Sequence, residues 1–182
     1  RVIALVKEQL AALDPEYEEI TFENVGTHLI ARLKPEHPQG RIILNAHLDT
    51  VFPVGFAKEH PWHIEGDWLY GLGVMDCKGG VAVSSTAVRI AKELDILPDV
   101  EIDLVYVCDE EQGSVTGQKV YEKICPGADA AYIFEPGITD EDGRIAVVTS
   151  RQGVILGNLD ITGVEAHAGG AYSKGHSANR EL

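Results

Sequence analysis

The run RIILNAHLDT, residues 41–50, decides how the chain reads. Residues 41–46 form a short stretch rich in isoleucine and leucine, of the length and composition of a strand buried in a sheet. It runs into His47 and Asp49. In extended chain these positions, i and i+2, point to the same side, so one can ligate while the other works beside it. The pattern recurs twice. Residues 100–107 read as a strand that ends in Asp109-Glu110-Glu111, and residues 128–134 as one that ends in Glu135-Pro136. Between them the period turns helical, over 79–94, where Val83, Ala87, Ile90, Ala91 and Leu94 share a face, and over 117–124. Strands alternating with helices predict an α/β fold, a mixed, largely parallel sheet flanked by helices. In such a sheet the carboxyl ends of the strands share one edge, and ligands bind in the crevice there.

Working outward, a first helix carries Val2, Ile3, Leu5, Val6 and Leu10 and stops near Leu13, before Asp14-Pro15. Alternating apolar residues on either side of Asn24-Val25-Gly26 predict a β-hairpin, and residues 62–70 a tight one turning at Gly66-Asp67. Residues 144–149 and 154–161 read as strands, with a hairpin through Arg151-Gln152-Gly153. Both ends read as cut: Arg1 opens inside a helical pattern, and a helix starts over 177–181 as the sequence stops.

The 182 residues carry 15 Lys+Arg against 29 Asp+Glu, a formal charge of −14. That excess argues against a protein that coats nucleic acid or an anionic membrane, since both need clustered positive charge. Charged residues at 24% and apolar ones at 45% are ordinary globular composition. No apolar run approaches the ~18 residues of a membrane helix. Cys77, Cys108 and Cys125 are odd in number and lack CxxC spacing, which indicates neither a disulfide framework nor a cysteine zinc site and predicts a reducing, cytoplasmic setting.

Three strand ends thus deliver an imidazole and several carboxylates to one edge. Packed without a counter-charge, those carboxylates would repel and resist ionisation, and a divalent metal resolves the conflict. Glu110 and Glu111 are adjacent and diverge, which suits one ligand and one free base. Asp76 sits in a glycine-rich loop, Gly71-Leu72-Gly73-Val74-Met75-Asp76-Cys77-Lys78-Gly79-Gly80, just before a helix, where a lone carboxylate could bridge two metals. Imidazole and carboxylates without thiolate favour zinc, with cobalt or manganese as alternatives.

Other features have plainer readings. Gly71-Leu72-Gly73 lacks the third glycine of a dinucleotide fingerprint, and Lys78-Gly79 reverses the order of a phosphate loop. The run Gly113-Ser114-Val115-Thr116-Gly117 is not a serine-hydrolase elbow, and Ser114 reads as a helix cap. His28, His37, His60 and His63 read as surface histidines. Cys77 reads as filling a small space, and Lys78 as pairing with a neighbouring carboxylate.

Taken in order, these motifs resemble the co-catalytic zinc metallopeptidases of the glutamate carboxypeptidase, aminoacylase and succinyl-diaminopimelate desuccinylase type. His47-Leu48-Asp49-Thr50-Val51 is similar to that family's first metal motif, and Gly71-Leu72-Gly73 with Asp76 and Lys78-Gly79-Gly80 to its bridging-aspartate motif. Asp109-Glu110-Glu111-Gln112-Gly113-Ser114 resembles its catalytic glutamate motif, and Phe134-Glu135-Pro136 its next ligand. Gly163-Val164-Glu165-Ala166-His167-Ala168-Gly169 resembles the entry to its lid, or dimerisation, domain.

The resemblance implies one metal on His47, Asp76 and Glu135, and a second on Asp76, Glu111 and a histidine that in the family comes from a later segment. His176 is no substitute, because it lies in the lid entry. It implies amide hydrolysis by a metal-activated water, with Glu110 as general base. Asp49 would orient His47 or otherwise support the ligands. His167, from the partner subunit of a homodimer, would stabilise the oxyanion. It also implies a cis Asp76–Cys77 peptide. The substrates implied are small peptides or N-acyl amino acids. The implied division is a catalytic domain over 1–152 and the start of an α+β lid over 153–182. The rival reading is a metal-binding or dimerisation fragment without hydrolase activity.

Overall fold

The computed structural model describes residues 1–153, 155 and 157–180. The elements of its first part are α1 (Val2–Leu10), β1 (Glu16–Ile20), β2 (His28–Leu33), β3 (Arg41–His47), the short α2 (Phe56–Glu59), β4 (His63–Glu65), β5 (Trp68–Tyr70), α3 (Gly80–Glu93), β6 (Glu101–Val107), α4 (Gly117–Ile124) and β7 (Ala130–Ile133). A tight turn, Ala11–Leu13, extends α1 to the expected stop, where Asp14 takes a left-handed conformation. β4 and β5 form the expected small hairpin, turning at Gly66, which has φ +59°.

The central sheet runs β1-β2-β6-β3-β7. β6, β3 and β7 are parallel, and the β1–β2 hairpin joins antiparallel to β6. The sheet is therefore mixed, and its three parallel members are the three strands whose ends carry the acidic motifs.

Alternation along the strands sorts the core into two layers. Leu29, Ala31, Leu44, Ala46, Ile102, Leu104 and Tyr106 pack with Val6 and Leu10 of α1 and Val81 and Val88 of α3. Ile30, Ile43, Val105 and Val107 pack on the other face with Val120 and Ile124 of α4. Asp103, fully buried in β6, is held by Arg32 Nε at 2.7 Å and by Arg41 Nη2 at 2.5 Å. A buried charge is tolerated when its oxygens are met in this way.

In α3 the predicted helix is present, but the face that faces inward is Val81, Ser84, Ser85 and Val88. Val83, Ile90 and Leu94, part of the apolar stripe read from the sequence, are exposed. The serines can be inside because each hydroxyl has a carbonyl one turn back (Ser84 to Gly80 at 2.8 Å, Ser85 to Val81 at 2.7 Å), and Ser84 also meets the Tyr106 hydroxyl at 3.0 Å. Their small size lets the helix lie close to the sheet.

Arg1–Thr139 forms one compact unit, and a second begins at Asp140. Of the strand read over 144–149, only Ile145–Ala146 is extended into a strand. For the strand read over 154–161, Val154 and Leu156 lie outside the described residues, and the described remainder carries no strand. In the second unit, Val164 and His176 form an antiparallel bridge. The helix read from Ser177 is a single turn, Ala178–Arg180, and Glu181 lies outside the described residues. Among the described residues no helix is long and apolar enough to cross a membrane.

Candidate metal centre

Two strands of the parallel trio, β3 and β7, each extend their ladder by one residue before releasing their polar side chains. Leu48 N–H donates to Val107 O at 2.7 Å, and Phe134 N–H to Asn45 O at 2.8 Å. His47, Asp49, the 109–111 segment and Glu135 are thereby held at one sheet edge. Asp76 reaches the same place from an irregular helical turn, Val74–Gly79, between β5 and α3, and its peptide to Cys77 is cis. Two glycines permit this approach. A Cβ on Gly80 would lie 2.0 Å from Phe134 O, and one on Gly73, which has φ +66°, would lie 2.4 Å from Thr50 Cγ2.

His47 is the hub. Its buried ring brings Nε2 to 2.8 Å from Asp76 Oδ1, 3.7 Å from Glu135 Oε1 and 4.0 Å from Glu110 Oε2. On its other side Nδ1 lies 3.2 Å from Asp49 Oδ1. These two atoms are buried and not aligned as a hydrogen bond, and neither finds another partner among the described residues. Glu111 is tied in through its backbone, whose N–H donates to Asp49 Oδ2 at 3.0 Å.

The cluster is electrostatically loaded. Burial lowers the His47 pKa, but the hydrogen bond to Asp76 and the fields of Glu135, Asp49 and Glu110 outweigh it and raise the net value. The Glu135 carboxyl is pushed up first by burial and then by Glu110, Asp76 and Glu111. Glu111 is pushed up by burial, then by Asp76, Glu110 and Asp49. Crowded carboxylates that resist ionisation are what a bound cation relieves.

The donor set fits a divalent ion. One atom each from His47, Asp76, Cys77 and Glu135 can be chosen so that all lie within 4.8 Å of one another. Two ligands at ~2 Å from one zinc ion are at most about 4 Å apart, so small side-chain rotations bring three of them into range. Cys77 is the exception. Its fully buried thiol donates to Phe134 O at 3.0 Å, and burial holds its pKa up to about 11, so it packs the space under the turn.

Three sequence expectations change. His28 is 0% exposed, not a surface residue: its Nε2 lies 2.8 Å from Thr116 Oγ1, and the Cys108 N–H donates to its Nδ1 at 3.3 Å. Ser114 does not cap α4. It has φ +54°, and the Asp109 carboxylate instead accepts the Thr116 N–H (2.6 Å), the Thr116 hydroxyl (2.7 Å) and the Gly117 N–H (3.1 Å). Lys78 makes no ion pair among the described residues; burial lowers its pKa, and the field of Asp49 opposes the shift. His37, His60 and His63 are exposed as expected, with His63 stacked on Tyr70.

His167 belongs to the second unit, where it is exposed and its Nδ1 accepts the Gly169 and Gly170 N–H groups at 3.2 and 3.0 Å. The Asp109 brace had a signal in the sequence, a Thr-Gly pair seven and eight residues on at a helix start. Burial of His28 had none.

Residues 43–178 match the family model described as Peptidase family M20/M25/M40. Carboxypeptidase G2 of Pseudomonas sp. (strain RS-16) is 31% identical over 154 residues, which are 85% of this chain and 36% of that protein. A probable carboxypeptidase of Aspergillus terreus is 33% identical over 142 residues, 76% of this chain and 30% of that protein. Among solved structures, human carnosine dipeptidase 1 superposes with a TM-score of 0.58 at 25% identity, covering 73% of this chain and 32% of that one. An M20 family metallo-carboxypeptidase of Sulfolobus solfataricus, Sso-CP2, has a similar fold, with a TM-score of 0.63 at 23% identity over 78% of this chain and 33% of that one. The chain spans about a third of the length of these relatives.

Proposed function

The chain belongs to peptidase family M20/M25/M40, and from that premise we propose that it carries the metal-binding part of a hydrolase that cleaves amide bonds in small peptides or N-acyl amino acids. The observation that supports this best is the meeting of His47, Asp76 and Glu135 around one point, with Glu110 4.0 Å from the same imidazole nitrogen.

His47, Asp76 and Glu135 would hold one divalent ion, zinc by the donor set, with cobalt or manganese as alternatives. Asp76 and Glu111 would contribute to a second. When bound, such ions polarise the amide carbonyl and acidify a water. Glu110 is exposed at the rim and its carboxylate makes no hydrogen bond among the described residues. It takes the water's proton and passes it to the leaving amine nitrogen. Asp49 orients His47 from behind and holds the Glu111 backbone. His167, contributed by the partner subunit of a homodimer, donates to the developing oxyanion. A domain boundary at 152/153, with a lid following, completes this reading, and three free cysteines accord with a reducing, cytoplasmic setting.

The share of relatives' length that the chain covers favours a second reading for the 182-residue polypeptide taken by itself, a metal-binding or dimerisation piece without turnover. Metal analysis together with a panel of dipeptides, N-acyl amino acids and C-terminal amino-acid amides, run on both the 182-residue polypeptide and the natural full-length protein, separates the two. Metal and hydrolysis by the natural full-length protein, with Glu110→Ala keeping the metal and losing turnover, supports the hydrolase. Metal without hydrolysis of any panel member overturns it.

A further inference from the structure

The buried histidine at the start of β2 is connected to the acidic edge through two side chains. Cys108 N–H donates to His28 Nδ1, so in a neutral ring the proton sits on Nε2, 2.8 Å from Thr116 Oγ1. Thr116 then donates its hydroxyl proton to Asp109 Oδ2 at 2.7 Å, since an ionised carboxylate only accepts. All donors point the same way, from His28 through Thr116 to Asp109.

Asp109, 2% exposed, spends its carboxylate closing the chain on itself. It accepts the Thr116 and Gly117 N–H groups at the start of α4, while its own carbonyl accepts Ser114 N–H at 2.8 Å. A Cβ on Gly117 would lie 2.8 Å from Asp109 Oδ1, so the close approach needs glycine there. The loop closed in this way carries Glu110 and Glu111. His28 ties both of its roots, the end of β6 at Cys108 and the start of α4 at Thr116, to a strand on the far side of β6.

We infer that His28 is a positioning residue, which through Thr116 and Asp109 fixes the turn that presents Glu110 and Glu111. The inference rests on the roles proposed above for these two glutamates. It assigns no contact with substrate or metal to His28.

The test uses the natural full-length protein and three variants, His28→Phe, His28→Gln and Thr116→Val. Phenylalanine fills the space and removes both nitrogens, whereas the glutamine amide can still donate to the Thr116 hydroxyl. Amide hydrogen exchange is expected to quicken at least tenfold over residues 109–117 in His28→Phe and Thr116→Val, with metal present and absent. Residues 101–107 should exchange as in the parent. In the metal-loaded enzyme kcat should fall at least tenfold, with KM within twofold and metal content unchanged. His28→Gln should recover to within threefold. Thr116→Val placed on His28→Phe should add less than twofold.

Unchanged exchange over 109–117 overturns the inference. So does equal quickening over 101–107, which would mark general loosening, or a glutamine variant no better than phenylalanine. Quickened exchange with unaltered kcat in an active parent overturns the link to catalysis. A parent protein that hydrolyses no panel substrate sinks the functional reading instead, while the exchange data still decide whether His28 holds the turn.

Discussion

Asp49 Oδ2 accepts the backbone N–H of Glu111 at 3.0 Å, joining the end of β3 to the turn that follows β6. The other oxygen of the same carboxylate lies 3.2 Å from His47 Nδ1. One side chain thus stands behind both an imidazole and the backbone of a second candidate ligand.

Asp49→Ala removes both relations. Supporting partners of metal ligands are typically worth 10–100-fold in affinity, so the variant should release metal to a competing chelator at about 10–100-fold lower chelator strength. Asp49→Asn keeps an acceptor for the Glu111 N–H and should fall in between. Parent-like affinity for Asp49→Ala would remove the residue from the site.

Glu111→Ala and Asp76→Ala should each lower metal content, measured by elemental analysis after gel filtration. Glu110→Ala should leave it intact and reduce turnover by about 10²–10⁴-fold. Loss of metal in Glu110→Ala with retention in Glu111→Ala would exchange the two roles.

Gly80→Ala would set a methyl group 2.0 Å from Phe134 O, against backbone that cannot swing aside. Overpacking of this kind costs about 1–3 kcal/mol. The urea midpoint should drop accordingly, and metal affinity should weaken too, because the shift separates Asp76 from Glu135. A parent-like midpoint would show that α3 retreats without cost.

Stability should fall at high pH. Burial lifts Tyr106 and Tyr121 to about 12 from an ordinary 10, and Cys77 and Cys108 to about 11 and about 12 from 9. The unfolded chain therefore loses these protons first. Their contribution is full below about pH 9 and is lost as pH rises through about 12. Urea unfolding at stepped pH should show a midpoint that declines as pH rises above about 9, and Tyr121→Phe should make the decline over that range shallower. An increase in stability over that range would reverse the sign.

Much of the site was legible because it depends on local sequence. Strand-length apolar runs ending in His47, Glu110–Glu111 and Glu135 needed only periodicity and the rule about strand ends, and β3, β6 and β7 are parallel neighbours as that rule requires. Ser84 and Ser85 were not legible as core because their burial depends on the carbonyls one turn back and on the Tyr106 hydroxyl. His28 looked like any hairpin histidine, since its partners Cys108 and Thr116 stand 80 and 88 residues away.

By itself, then, the sequence determined the α/β order, the edge where the acids gather and the family, since each follows from residue type at short spacing. Only the tertiary structure decided which carboxylates face the cluster and which brace it. Asp109 and Glu110 are neighbours in the chain, yet one is turned to the start of α4 and the other stands 4.0 Å from His47. That division is set by where distant N–H groups lie to receive a buried charge, which no local pattern encodes.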